Sequence, residues 1–313
     1  MDCAEPCKPM ENRNIPQLSV VLPVYQEYDV IRRVIMQLVK TLEQAELSFE
    51  IIVVDDGSTD GTREILHDLA SSNPKHIHII CHPYNKGNGA AIKTGINAVR
   101  GEMIFCMDAD GQHDPQNIFH MLPYMSEYDL IVGARTMNYQ GKWYRNLANK
   151  FYNSLSSWLT KFPIKDLTSG CRLFRASIVK QYVHLFPARF SYPTTSTLAF
   201  IKGGHNVKYV PIEVHQRKGN RSKIKPLRDG WRFLIIILKI IVIFEPLRVF
   251  LPAAFVLFLL GCFSSTYSML HLGRLHIPNS GVLLFISSVL IFLLGLISEQ
   301  IAALHISQSK GNT

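Results

Sequence analysis

Residues 249–270 and 277–298 each run for twenty-two positions without an Asp, Glu, Lys, Arg or His. A helix of that length and polarity can cross about 30 Å of hydrocarbon, and no other feature restricts the architecture so strongly. The alternative, two buried helices of a soluble fold, leaves the charge-free length unexplained. The connector His271–His276 carries one Arg, whereas residues 217–232 on the near flank carry seven basic residues and one acid, Asp229. This asymmetry predicts that both ends of the hairpin, and the globular part before it, face the cytoplasm, at the inner membrane if the chain is bacterial. The stretch Phe233–Phe244 is apolar at eleven of twelve positions, broken by Lys239 and stopped by Glu245-Pro246. A helix of that length spans about 18 Å, too short to cross. The pattern therefore predicts an interfacial amphipathic helix over 231–246, with Lys239 reaching to lipid phosphate. The formal charge of +9, gathered here, points to phosphate on a ligand or on lipid headgroups and away from a nucleic-acid groove.

At 313 residues the chain has room for one large domain before the hairpin. From Leu18 it alternates strand and helix signals. Strands are predicted at 18–23, 50–54, 77–81, 103–107 and 130–132, and helices at 30–42, 62–70, 90–99 and 115–125. Repeated β-α units of this length imply an α/β fold on a mainly parallel sheet, with its ligand site at the carboxyl ends of the strands. Residues 1–16 are polar, lack an apolar run and read as a disordered tail without a secretory signal. The six cysteines form no CxxC pair, which predicts free thiols in a reducing compartment.

The predicted strand ends carry the chemistry-capable residues. The fourth strand stops at Asp108-Ala-Asp110, whose carboxylates, at i and i+2 on an extended chain, can project to one side. Two close carboxylates repel unless a proton or cation lies between them, and hard oxygen ligands suit Mg²⁺ or Mn²⁺. Gln112 can add an amide oxygen. A solvated acidic turn is the competing reading. The other ends read Pro23-Val-Tyr-Gln-Glu27, Asp55-Asp-Gly-Ser-Thr-Asp60 and Gly133-Ala-Arg135. In Asn85-Lys-Gly-Asn-Gly89, before a helix, backbone N–H groups and Lys86 are expected to face an anion. As a dinucleotide-binding loop this stretch is poor, because it does not follow the first strand and lacks the third glycine.

Together these motifs, with Asp166-Leu-Thr-Ser-Gly-Cys-Arg172, stand in the order and approximate spacing of the family 2 glycosyltransferases. Over residues 18–230 the chain resembles the polyprenyl-phosphate sugar synthases of that family, the dolichol-phosphate mannose synthase type. The resemblance implies a GT-A fold, a nucleotide-sugar-binding sandwich on a mainly parallel mixed sheet. It divides the chain into a tail (1–16), a catalytic domain (17–230), the interfacial helix (231–246), a transmembrane hairpin (247–304) and a C-terminal tail (305–313). By position, Pro23, Tyr25, Glu27, Val53 and Asp55 would hold the base and ribose of the donor. Asp108, Ala109, Asp110 and Gln112 would line the diphosphate site, with Asp108, Asp110 and Gln112 on the metal. Arg135 would lie near the sugar phosphate, and Arg217 and Lys223 would close over the diphosphate. Asp166 and Arg172 fall in a motif near the acceptor. The family usually has Asn where this chain has Gln26.

The implied reaction is inverting transfer from a donor of the GDP-mannose or UDP-glucose type to undecaprenyl or dolichyl phosphate, giving a β-linked product. The metal, Arg217 and Lys223 would neutralise the leaving diphosphate. A phosphate monoester is largely dianionic at neutral pH, so it needs no strong general base. Basic residues such as Arg135 or Arg145 would draw it in. His113, beside the metal motif, is a candidate base but is read instead as a turn residue or one standing behind the metal ligands. Residues 217–232 are predicted to form a mobile loop ordered by the diphosphate. Two other readings stand beside this one. A processive polysaccharide synthase would need a Gln-x-x-Arg-Trp string, which does not occur. A non-catalytic membrane scaffold would have little reason to keep Asp108, Asp110, Gln112, Arg217 and Lys223 together. The sugar, the polyprenol length and any homo-oligomer are open.

Overall fold

The computed structural model describes residues 15–44, 46–135, 143–189, 191–214, 226–272 and 276–311. Arg217 and Lys223 lie outside the described residues, as does the side chain of Arg145. The elements in chain order are β1 (Leu18–Val24), α1 (Ile31–Glu43), β2 (Phe49–Asp55), α2 (Thr62–Ser72), β3 (Ile77–Cys81), α3 (Asn88–Ala98), β4 (Met103–Cys106) and α4 (Asn117–Met121). They continue with β5 (Leu130–Arg135), α5 (Trp143–Thr160), β6 (Arg172–Arg175), α6 (Ala176–Tyr182), α7 (Tyr192–Lys202) and β7 (Val207–Ile212). Last come α8 (Pro226–Phe244), α9 (Leu247–Leu272) and α10 (Asn279–Gly311).

Among the described residues the strands form one seven-stranded sheet in the order β3-β2-β1-β4-β6-β5-β7. The first four are mutually parallel, β6 runs antiparallel to both β4 and β5, and β7 is parallel to β5. The mainly parallel mixed sheet expected from sequence is therefore present, with one strand reversed. Alternate residues feed two cores. Val20, Leu22 and Val24 pack with α1, α2 and α4 on one face, while Val21, Ile52 and Val54 pack with α3 and α5–α8 on the other. On α1 the buried set Ile31, Val34, Ile35, Leu38, Val39 and Leu42 recurs at helical spacing. Each such side chain contributes on the order of 1.5–3 kcal/mol by leaving water.

Helix α8 begins at Pro226, so residues 226–232, expected within a mobile loop, are helical. It buries Ile237, Ile240, Ile241 and Phe244 in the core shared with α5 and α7, while Ile235 stays 46% exposed and Lys239 faces outward. At its end Glu245 meets Lys202 at 2.8 Å and also Arg248, which donates to the Leu159 carbonyl. These contacts tie α5 and α7 to the first turn of α9.

Helices α9 and α10 pack against each other as an antiparallel pair and satisfy three Ser hydroxyls internally. Ser288 donates to the Ala254 carbonyl at 2.8 Å, and Ser264 pairs with Ser280 at 2.9 Å. The contact depends on small residues: a Cβ on Gly261 would lie 2.9 Å from Phe285. Outward, Phe263, Leu270 and Leu283 are all at least 65% exposed. Helix α9 and the stretch Asn279–Leu304 of α10, 26 residues each, have the length and composition to cross a bilayer, with mean hydropathy of 2.1 and 2.6. An apolar surface of this extent is what a lipid environment covers.

Candidate active site

The carboxyl ends of β1, β2 and β4 open into one cavity of about 230 Å³. Parallel neighbours bring it about: β1 pairs with β2 on one side and β4 on the other, so their following loops emerge together. Pro23 and Tyr25 line it from β1, and Asp108, Ala109 and Asp110 from the loop after β4. A larger cavity of about 550 Å³ lies between the loop after β4, α4 and the edge strand β7, lined by Asp114, Asn117 and Glu213 among others. It contains none of the strand-end groups named from sequence, so size alone is a poor guide here.

The second strand end differs from expectation. Val53 is fully buried in the core beneath α1 and α2, and Asp55 is equally inaccessible. The Asp55 carboxylate accepts from Arg63 Nε at 2.7 Å and from the Ser58 N–H at 3.0 Å, which fixes the turn leading into α2. Its neighbour Asp56 lines the cavity instead. A strand reverses its side chains at every residue, and the Asp-Asp pair straddles the point where β2 ends. Glu27 is half-buried and outside the cavity lining, with its N–H donating to Thr62 Oγ1 at 3.1 Å.

Asp56 also revises the expected anion loop. The N–H groups of Lys86 and Gly87 donate to Asp56 at 2.9 and 2.8 Å. Those of Gly89 and Ala90 donate to the carbonyls of Arg189 and Ala188. These four donors are spent within the fold, and the anion that the first two face is a carboxylate of the chain itself. Asn85, Gly87 and Asn88 nevertheless line the cavity and form one of its walls.

On the other side of Asp108 stands the loop between α5 and β6. Gly170 sits so close that a Cβ there would lie 2.3 Å from Asp108 Oδ2, so only glycine fits without displacing the carboxylate. The Gly170 carbonyl accepts from the buried Tyr192 hydroxyl at 2.9 Å. Arg135, at the end of β5, forms a two-point ion pair with Asp166, at 2.8 and 3.0 Å, and reaches Thr168. Burial pushes the Asp166 carboxyl up, but the Arg135 bonds and charge outweigh it and hold the group below its ordinary 3.8. Arg172 does not line the cavity. It is fully buried and donates to the Ser169 and Leu167 carbonyls and to Ser196 and Thr197. His113, 8% exposed, has Nε2 3.7 Å from Asp108 Oδ2.

Asp108 and Asp110 are the two acids beside the cavity that suit a divalent ion. Gln112 follows them half-buried, with its N–H donating to Asp110 Oδ1 at 3.1 Å. Among the described residues no group of three or more His, Cys, Asp or Glu is disposed to hold a metal. The donor set is thus too poor for a closed structural ion. It fits Mg²⁺ or Mn²⁺, which bind one or two carboxylates and complete their shell with water and ligand phosphate.

The sheet with its one reversed strand, and acids at the end of its fourth strand, define a GT-A fold. The glycosyl transferase family 2 profile matches residues 19–183, and the chain belongs to that family. Residues 245–304 match the GtrB C-terminal hairpin. The chain is 32% identical over 165 residues to the undecaprenyl-phosphate 4-deoxy-4-formamido-L-arabinose transferase of Proteus mirabilis (strain HI4320), covering 53% of this chain and 51% of that one. It is 28% identical over 172 residues to the transferase of the same name from Edwardsiella ictaluri (strain 93-146), covering 55% and 53%. The chain thus spans about half the length of the curated relatives it matches. Its fold is similar to that of the glucosyl-3-phosphoglycerate synthase of Mycobacterium tuberculosis in complex with Mn²⁺, UDP and phosphoglyceric acid. That match has a TM-score of 0.55 at 17% identity, over 72% of this chain and 78% of that one.

Proposed function

We propose that the chain is a membrane-bound, metal-dependent inverting glycosyltransferase that moves a sugar from a nucleotide diphosphate sugar to polyprenyl phosphate. The observation that carries the reading is the meeting of Asp108 and Asp110 with the ends of β1 and β2 in one cavity, ahead of a hairpin long enough to span a bilayer. The names of the curated relatives, which specify undecaprenyl phosphate, support the acceptor class.

In this reading Pro23, Tyr25 and Asp56 bound the nucleoside end of the cavity, and Asp108, Asp110 and Gln112 hold the ion. When bound, the ion supplies positive charge against the departing diphosphate. Arg217 and Lys223 add two further cations from the segment after β7. An acceptor phosphate oxygen attacks the anomeric carbon from the face opposite the diphosphate. The anomeric C–O bond breaks, and the nucleotide diphosphate leaves with its electron pair. The attacking group arrives already ionised, so the chain need not take a proton from it. Arg135, though paired with Asp166, keeps its side chain 28% exposed, and with Arg145 it draws the acceptor phosphate toward the cavity.

The test is a donor screen with the full chain in detergent or nanodiscs, a short polyprenyl phosphate and Mn²⁺ or Mg²⁺. Transfer from one nucleotide sugar, lost in excess chelator, is the expected result; no transfer from any donor, or full transfer in chelator, refutes the reading. Orientation is tested separately. In an otherwise cysteine-free background, a cysteine at Ser280 should be labelled from outside the cell and one at Ser307 should not.

A further inference from the structure

Behind the cavity wall Asp56 is held by a buried histidine to which the proposed reaction assigns no part. His82, 3% exposed, donates from Nδ1 to Asp56 Oδ1 at 2.7 Å, and its Nε2 lies 3.0 Å from Thr94 Oγ1 on α3. Asp56 Oδ1 also accepts from the Lys86 N–H, and Oδ2 from the Gly87 N–H. Two segments distant in sequence therefore meet at one carboxylate: the end of β2, and the stretch that runs from the residue after β3 through the turn into α3. The packing there leaves no slack. A Cβ on Gly57 would lie 2.5 Å from the Tyr84 carbonyl carbon, and Gly87 holds a φ of +107°, which side chains rarely adopt. The turn that Asp56 grips carries Asn85, Gly87 and Asn88 into the cavity.

We propose that His82 is a positioning residue for the donor: by holding the Asp56 carboxylate it fixes the 85–88 turn as a rigid wall of the nucleotide-sugar cavity. The inference rests on the reading of that cavity as the donor site. It follows from satisfaction of charge and hydrogen bonds. Asp56 is a buried anion with no Lys or Arg within ion-pairing distance among the described residues, so its orientation depends on three N–H donors. Two of those donors belong to the turn itself. Only the imidazole is held from outside the turn, on a backbone whose N–H donates to the Asp55 carbonyl at 2.8 Å and whose carbonyl accepts from Arg63, so only it can hold the carboxylate while the turn is strained by ligand. Without it the carboxylate and the turn can move together.

Two conservative variants separate this role from simple packing. In His82→Asn the side-chain amide can stand where Nδ1 stands and donate to Asp56, whereas His82→Gln reaches toward Thr94 and loses that bond. Hydrogen exchange on the ligand-free full chain in nanodiscs reads the turn directly. Protection of the Lys86 and Gly87 amides should fall about tenfold in His82→Gln and stay within about threefold of the parent in His82→Asn. Steady-state kinetics read the consequence: the donor KM should rise about tenfold in His82→Gln with kcat within about twofold, and His82→Asn should restore it. Unchanged amide protection in His82→Gln, equal loss in both variants, or a fall in kcat at constant KM would each overturn the proposal. The exchange result stands without any substrate. If the parent chain turns over no nucleotide sugar, the functional reading fails while the claim about the turn is still decided.

Discussion

From β3 across to β4 the sheet is packed by aliphatic side chains, and its buried polar groups sit only at the strand ends. Glu50 with Ser19 and Arg100 closes one end, and Asp55 and Asp56 close the other. From β6 to β7 a polar network is set inside the apolar interior. Arg172 is fully buried, and Ser191, which caps α7, and Thr194, Thr195, Ser196 and Thr197 within it are each at most 2% exposed. Thr194 Oγ1 and Arg172 both reach the Leu167 carbonyl, so this network holds the loop carrying Asp166 and Gly170 to the cavity. One half of the sheet is a scaffold secured by area, which is non-directional. The other positions a loop by directed bonds, which fix geometry and leave a large penalty when a partner is removed.

The widest separation between the halves should come from truncating their interiors. Arg172→Leu strips donors from two carbonyls and two hydroxyls and is expected to cost about 3 kcal/mol in denaturant unfolding of the detergent-solubilised chain. Ile51→Val on the other half should cost about 1 kcal/mol. If Arg172→Leu is as stable as the parent, the polar half is not held by those bonds and the contrast collapses. Function should respond on the polar side even where folding does not. Gly170→Ala pushes on Asp108 and should lower kcat about a hundredfold while the thermal midpoint moves little. An unchanged kcat would mean that the loop does not set the Asp108 carboxylate.

A smaller effect distinguishes the halves by pH. The folded-state Asp166 carboxyl titrates below its ordinary 3.8, so its stabilisation is complete above that value and is lost as pH falls through the lowered one. Asp166→Asn should therefore cost about 2 kcal/mol at pH 7 and progressively less below about pH 4. A cost that does not change with pH would assign the loss to shape rather than charge. The smallest effect lies on the apolar half. Gln26 holds a φ of +55°, a conformation that Asn tolerates better. Gln26→Asn, which restores the residue usual in the family, should stabilise by about 0.5 kcal/mol in a thermal melt.

The same contrast decides how much could be read before the structure. The strands of the parallel half appear within about two residues of their predicted bounds, because each is a short apolar run closed by Asp, Gly or Pro. On the other half β6 is four residues, Arg-Leu-Phe-Arg, and α7 buries nine of its eleven positions, several of them Ser and Thr. A helix enclosed on every side has no polar face to set a period, so neither element was visible in the pattern. At the site, the strand-end acids Asp108 and Asp110 were readable as a pair. The choice between Asp55 and Asp56 was not, since alternation stops informing once a strand ends. Nor was the capture of the Lys86 and Gly87 amides by Asp56, because thirty residues separate the partners. The roles of Arg217 and Lys223 rest on sequence alone.

In the proposed reaction Asp108 and Asp110 serve sugar transfer from a nucleotide sugar to a polyprenyl phosphate. Its most direct test is single-turnover transfer of labelled sugar onto undecaprenyl phosphate by the purified full chain with Mn²⁺, run beside Asp110→Ala. The parent should give a lipid-linked product, suppressed by chelator and restored by Mn²⁺, with a rate at least about a thousandfold lower in Asp110→Ala at an unchanged thermal midpoint. Product formed at equal rates by the parent and Asp110→Ala, or in excess chelator, would contradict it.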